Sequence, residues 1–303
     1  MGKTAFIYPG QGAQKAGMGK DFYDNYEEAK AIFDLADEVL DFDIKEMCFE
    51  ENEKLNKTEY TQPALVTTCL AITECLKKAG IKPDVTAGLS LGEYAAISAA
   101  GGMKAEDAIG TVRKRGIYMS NAVPEGEGTM LAILGLSGDE VAAAVQDIPG
   151  ISVANYNCPG QIVITGKKSM AQTAVDKLME AGAKRAIELN VSGPFHSDFL
   201  KGAGSRLREE LDKVEFSQLE IPYVTNVDAK YVEQIGETPA LLEKQVYSSV
   251  MWEQSVRNMI ENGVDTFIEI GPGKTLAGFM RKIDRSVRMI NVETIEDLAN
   301  LSL

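Results

Sequence analysis

Three side chains are of types that carry acyl and proton chemistry, and each stands in unusual company. Ser90 lies in Gly88-Leu89-Ser90-Leu91-Gly92. Glycines two before and two after a serine suit a sharp strand-to-helix turn, because strand and helix can then approach closely while the hydroxyl projects above the sheet edge. Val85 to Leu89 reads as the strand running in and Leu91 to Ala100 as the helix running out. The N–H of Leu91, at the helix N-terminus, then points where an oxyanion would form. A plain strand–helix turn is the duller alternative. A serine hydroxyl needs a base near neutral pH, and the chain holds a single histidine, His196, in Ser192-Gly193-Pro194-Phe195-His196-Ser197. A lone histidine is more often a surface or satisfied core residue. Here no other imidazole can serve Ser90. Spacing assigns no acid partner, since Asp198 is equally suited to cap the following helix. Arg115 is the third anomaly: it lies on the same helical stripe as Ile109, Val112 and Met119. Either it snorkels with its head in water, or an inward guanidinium waits for a carboxylate that it can grip with two hydrogen bonds.

Two glycine-rich stretches imitate nucleotide sites and fail. Gly10-Gln11-Gly12 follows a strand as a dinucleotide fingerprint would, but its third glycine position is Lys15. Gly273-Lys274-Thr275 resembles the end of a phosphate-binding loop, yet the required earlier glycine is Ile268. Gly271 to Lys274 reads as a turn.

The elements that must position these residues alternate between short β-rich runs and helical stretches, which predicts an α/β fold. Thr4 to Tyr8 reads as a buried strand, Gln62 to Ala79 as a helix closed by Gly80, and Ala105 to Ala122 as another helix. From Gly128 to Val191 the order is strand (Thr129 to Leu134), helix (Asp139 to Asp147), strand (Ile151 to Tyr156), strand (Gln161 to Thr165), helix (Ser169 to Ala181), strand (Lys184 to Leu189). That βαββαβ order is the ferredoxin-like split unit. It starts after the linker-like Pro124 to Gly128 and ends before Gly193-Pro194, after which alternation resumes through Tyr223 to Asn226, Trp252 to Asn262 and Thr266 to Ile270. The expectation is a large α/β unit, residues 1–125 and 193–303, interrupted by a small ferredoxin-like one, residues 126–192.

Composition agrees with a soluble enzyme. The 303 residues amount to about two units at ~150 residues each, with 45% hydrophobic and 25% charged residues. Thirty-one Lys and Arg against 45 Asp and Glu leave a formal charge of −14, which argues against nucleic acid or an anionic membrane as partner. Cys48, Cys69, Cys75 and Cys158 form no C-x-x-C pair, and with one histidine no zinc site is expected. The apolar run within residues 1–9 is too short for a signal peptide and no stretch reaches the ~18 apolar residues of a membrane span, so a cytoplasmic location is expected.

Ser90, His196, Arg115 and the Pro9-Gly10-Gln11-Gly12 loop together resemble the malonyl-CoA:acyl carrier protein transacylase family of fatty acid synthesis, in its stand-alone bacterial form. The resemblance extends through Asn155-Tyr156-Asn157-Cys158-Pro159-Gly160-Gln161 to Ile270-Gly271-Pro272-Gly273, covering essentially the whole chain. It implies a hydrolase-like core with a ferredoxin-like insert. It further implies Ser90 as acylated nucleophile, His196 as base, the N–H groups of Gln11 and Leu91 as oxyanion hole, and Arg115 as holder of the malonyl carboxylate. Gln245 resembles the family residue whose main-chain carbonyl orients the histidine in place of a triad acid. Phe195 matches the phenylalanine of malonyl-selective members. The family usually has histidine just before the serine, where this chain has Leu89.

The expected reaction moves malonyl from coenzyme A to Ser90, then to the phosphopantetheine thiol of acyl carrier protein, in a monomer that needs no metal or bound cofactor. An acidic carrier requires a local basic patch on a net-negative enzyme, and Lys184, Arg185, Lys201, Arg281 and Lys282 are candidates, unless they are scattered solvated charges. The nearest rival is a serine thioesterase, which would place an acid between serine and histidine and leave Arg115 unexplained. A noncatalytic carrier-binding subunit would form no covalent adduct at all.

Overall fold

Strand β1 (Lys3–Tyr8) has Ala5, Phe6, Ile7 and Tyr8 wholly buried, because it runs mid-sheet with both faces covered. In the computed structural model, which describes residues 2–191 and 193–301, three helices follow: α1 (Lys20–Asn25), α2 (Glu27–Val39) and α3 (Ile44–Phe49). They bury Phe22, Phe33 and Met47 and pack around α4 (Thr58–Lys78). Met1, Ser192, Ser302 and Leu303, which the expected unit boundaries include, lie outside the described residues.

Helix α4 starts a full turn before the expected Gln62, so Pro63 falls inside it. Proline cannot donate to the carbonyl four residues back, and that carbonyl, of Glu59, accepts Arg113 Nη1 at 2.8 Å instead. Next come β2 (Val85–Gly88), α5 (Gly92–Ala99) and α6 (Ala105–Ser120), each within two residues of its expected end.

A second sheet follows from β3 (Gly128–Leu134), α7 (Gly138–Val145), β4 (Ile151–Cys158), β5 (Gln161–Lys167), α8 (Ala171–Glu180) and β6 (Arg185–Glu188). Its order is β4-β5-β3-β6, with every neighbour antiparallel. Alternation along the strands divides its faces: Leu131, Ile133, Ile162 and Ile164 pack on Val141, Val145, Ala174 and Leu178 of the two helices, while Met130, Ala132 and Val163 join the main core. A backbone bridge between Asn155 and Val250 ties β4 to the rest of the molecule.

The chain then forms α9 (Lys201–Leu211), β7 (Tyr223–Val224), β8 (Tyr231–Val232), α10 (Thr238–Gln245), α11 (Trp252–Glu261), β9 (Val264–Ile270), α12 (Thr275–Ile283), β10 (Arg288–Val292) and α13 (Ile295–Ala299). Asp198 does not cap α9. Its carboxylate is 80% exposed and pairs with Lys201 Nζ at 3.0 Å. The first sheet has the order β10-β9-β1-β2-β7-β8, parallel from β10 through β7, with β8 antiparallel at the edge. Tyr8 and Gly88 are register partners. The loops after β1 and β2 therefore leave the carboxyl edge side by side, where open α/β sheets bind ligands.

No helix among the described residues is long and apolar enough to cross a membrane. All four cysteines are free and buried.

Candidate active site

The turn between β2 and α5 works only with glycine on both flanks. A Cβ at Gly88 would lie 1.9 Å from the Gly92 carbonyl carbon, and one at Gly92 would lie 2.3 Å from Tyr8 O. Ser90 adopts φ 51°, the left-handed region that costs a non-glycine residue about 1 kcal/mol or more. Asn226, just beyond β7, holds the turn in that shape. Its Oδ1 accepts the Ser90 N–H at 2.6 Å and its Nδ2 donates to Gly88 O at 2.7 Å.

Across the turn, Ser90 Oγ lies 2.7 Å from His196 Nε2, and His196 Nδ1 lies 2.9 Å from the carbonyl oxygen of Gln245. A carbonyl only accepts, so Nδ1 carries the proton and Nε2 presents its lone pair to the hydroxyl. Gln245 is the last residue of α10, where helix carbonyls lack intrahelical partners, which frees its oxygen for this use. His196 is also left-handed, at φ 58°. Burial, and secondarily the Arg115 charge, hold its imidazole down at about 4, so at neutral pH it is an unprotonated base.

Arg115 does not reach water; it is 1% exposed. Nη1 donates to Gln62 Oε1 at 2.9 Å, and Nη2 donates to Ser90 Oγ at 3.1 Å and to Gln245 Oε1 at 3.0 Å. The guanidinium stands 5.6 Å from the Tyr94 ring centroid, and its Nε has no partner. Burial lowers its pKa from the arginine range, yet guanidinium stays charged in proteins. A buried cation bonded only to neutral oxygens is a strong site for an incoming carboxylate.

Behind the turn, Glu93 is fully buried, and burial pushes its carboxyl up to about 7 against the hydrogen bonds that it receives. Its Oε2 accepts from Gln245 Nε2 at 2.7 Å and from the Asn226 N–H at 3.2 Å.

Ser90, His196, Arg115 and Gln62 line a cavity of about 170 Å³ with Gln11, Leu91, Leu89, Met130, Val163 and Phe195 among its walls. The turn's own hydrogen bonds use the N–H groups of Gly92, Glu93 and Tyr94. Gln11 and Leu91 line the cavity with Ser90, and their N–H groups take no partner among the described residues. A larger groove of about 800 Å³ touches another side of His196 but does not include Ser90.

Of the basic candidates, Lys184, Arg185, Arg281, Lys282 and Lys201 are all exposed. Lys282 Nζ reaches Gln161 Oε1 at 3.4 Å, and Gln161 and Arg185 both register with Leu134, which gathers Lys184, Arg185 and Lys282 at one end of the second sheet, with Arg281 next to Lys282 in the chain. Lys282 also shares a face of α12 with the cavity residues Thr275 and Phe279. Lys201 is engaged with Asp198, and no register joins it to the others. Sequence reasoning did not assign roles to Asn226, Gln62 or Glu93. The only local signals were an asparagine closing a strand and a glutamate just inside the helix after the glycine turn.

A serine, a neutral imidazole and a buried guanidinium stand together at the carboxyl edge of a parallel sheet, an arrangement with the groups that acyl transfer requires. A family model described as acyl transferase domain matches residues 5–298. The malonyl CoA-acyl carrier protein transacylase of Bacillus subtilis (strain 168) is 45% identical over 98% of this chain and 96% of its own length. Among solved structures, the malonyl CoA-acyl carrier protein transacylase from Clostridium perfringens Atcc 13124 superposes with a TM-score of 0.94 at 43% identity, covering 98% of this chain and 95% of that one. A type II PKS acyl-carrier protein complex with its malonyl-transacylase also aligns, at TM-score 0.94 and 36% identity over 98% of both chains. The chain belongs to the malonyl CoA-acyl carrier protein transacylase family.

Proposed function

We propose that the protein transfers a malonyl group from coenzyme A to the phosphopantetheine thiol of acyl carrier protein through an ester on Ser90. His196 Nε2 takes the hydroxyl proton as Ser90 Oγ attacks the thioester carbonyl, and the N–H groups of Gln11 and Leu91 receive the oxyanion. The intermediate collapses, the C–S bond breaks, and the imidazolium returns its proton to the departing thiolate. The carrier thiol then repeats the sequence in reverse, giving its proton to His196, attacking the ester and releasing Ser90. The Gln245 carbonyl holds the imidazole in its working tautomer, Arg115 grips the malonyl carboxylate, and Phe195 walls the pocket. Lys184, Arg185, Arg281 and Lys282 offer the basic surface for the carrier.

The observation that carries the reading is Arg115 Nη2 at 3.1 Å from the same Ser90 Oγ that His196 Nε2 meets at 2.7 Å. One hydroxyl thus sits between a base and a carboxylate receptor. The Nδ1 partner is a carbonyl and not a carboxylate, which favours this reading over a serine thioesterase with a triad acid. In the same reading the chain acts as a cytoplasmic monomer. Its second sheet, ordered β4-β5-β3-β6, is a ferredoxin-like unit (residues 126–192) set into a hydrolase-like unit (residues 1–125 and 193–303).

Intact mass spectrometry after malonyl-CoA, with digestion to locate the adduct, tests this. A malonyl ester on Ser90 that an acyl carrier protein thiol discharges is the expected result. No adduct, an adduct elsewhere, or discharge by water at the same rate without carrier would overturn it.

A further inference from the structure

The hydrogen bonds behind Ser90 have a fixed direction. Gln245 Nε2 donates both its protons, one to Ser90 O at 2.8 Å and one to Glu93 Oε2 at 2.7 Å. That leaves Gln245 Oε1 as the end facing Arg115 Nη2. A primary amide has nearly the same shape at both ends, so packing alone does not choose between them. Turned over, Gln245 would aim its NH₂ at the guanidinium and its oxygen at the Ser90 carbonyl and the Glu93 oxygen. Those contacts set donor against cation and acceptor against acceptor, inside a region where an unmade hydrogen bond is costly.

Glu93 is placed to make that choice. It lies three residues past the nucleophile, wholly buried, and the same Oε2 accepts from the N–H of Asn226, whose side chain clamps the Ser90 turn. Its other oxygen, Oε1, has no partner, so a proton can sit there while Oε2 continues to accept. None of the acyl-transfer steps uses this carboxyl.

We propose that Glu93 is a positioning residue of the transferase: by accepting from Gln245 Nε2 it keeps the amide oxygen turned to Arg115, and so aims the guanidinium at the acyl carboxylate. The proposal rests on the reading of Ser90 and Arg115 given above. Gln245 joins three demands in one side chain and one carbonyl. Its Oε1 steadies Arg115, its Nε2 steadies the Ser90 turn, and its main-chain oxygen orients His196. Glu93 decides the direction of the first two.

Pre-steady-state formation of the Ser90 ester from malonyl-CoA and from acetyl-CoA tests it, with the ratio of the two rates as readout. Glu93→Leu removes the acceptor at similar volume and should lower the malonyl preference by about tenfold, the scale of a lost hydrogen bond near a charge. Glu93→Gln can keep an oxygen toward Gln245 and place its NH₂ where the unpartnered Oε1 stands, so it should restore the preference. Adding Glu93→Leu to Gln245→Met should lower the preference no further, because the route through the amide is already gone. If Glu93→Leu does not fold, Glu93→Asp draws the oxygen back by one methylene and should give a partial loss of preference that Glu93→Gln does not share. Equal losses for both thioesters, or a further loss of preference of similar size when Glu93→Leu is added to Gln245→Met, would overturn the proposal. Failure of the unaltered protein to form a malonyl ester on Ser90 would instead sink the reading on which it rests.

Discussion

The two sheets meet at the cavity and build their sides of it differently. On the side of the first sheet, Ser90, His196, Arg115, Gln245 and Asn226 are each held by two or more hydrogen bonds, and the turn that bears Ser90 leaves no room for a Cβ at either flanking glycine. On the side of the second sheet the wall is Met130, Val163, Asn155 and Asn157, and the buried Asn157 Oδ1 has no partner. In the proposed reaction the bond-making groups are held ready, because reorganising them during the reaction would add to the barrier. The facing wall is not braced in that way. Damage to the first side should therefore act on ester formation and acyl choice, and damage near the second sheet on carrier binding.

The sharpest way to break that division is Ser90→Ala. It should abolish ester formation and carrier transfer while leaving the melting temperature close to that of the unaltered protein, since one half-buried hydroxyl is lost. A retained malonyl adduct would put the nucleophile elsewhere. His196→Ala comes next, with an expected loss of on the order of 10²-fold or more, the scale of a general base. In the unaltered protein the imidazole titrates at about 4. In the proposed reaction the unprotonated form is the base, so kcat/KM should hold as pH falls from neutral and decline only as pH drops through that region. A decline centred at the ordinary histidine value near 6.5 would show that Arg115 and burial do not act on His196 as described.

Arg115→Ala should be selective rather than lethal. Malonyl transfer should fall by roughly 10²-fold, the effect of removing a charge-assisted fork, while acetyl transfer stays equal or rises. Parallel losses with both thioesters would make Arg115 a support of the fold. The smallest effect belongs to the second sheet. Reversing Lys184 and Arg185 to glutamate should raise KM for the carrier protein a few-fold and flatten its dependence on salt, with ester formation from malonyl-CoA unchanged. An equal effect on ester formation would erase the distinction between the two sides.

What the sequence disclosed follows the same division in part. The glycine spacing around Ser90 and the helical phase of Arg115 are local signals, and the alternation from Gly128 to Val191 matches a βαββαβ sheet strand by strand. Helices α1 and α3, six residues each, are too short to display a period. Pro63 hid the first turn of α4 because its compensation, a side chain from α6, comes from fifty residues away. Asn226 and Glu93 act through contacts that span more than a hundred residues, so the place of Glu93 three residues after Ser90 does not disclose its partners. The Gln245 carbonyl and the Gln11 N–H are main-chain groups that any residue could supply, so only the family resemblance pointed to them.

The burial of every cysteine bears on where an acyl group can travel. Burial pushes the Cys158 thiol up to about 11 and those of Cys48 and Cys75 up to about 12, and raises Cys69 as well, so none offers a thiolate at neutral pH. Thioesters exchange readily with thiolates, and an enzyme handling them with a reactive cysteine near its mouth would mislay cargo onto itself. In the proposed reaction the Ser90 ester meets only thiols that arrive from outside. The native protein should accordingly leave a disulfide reagent such as Ellman's unreduced over the time of many turnovers, and all four thiols should titrate only on unfolding.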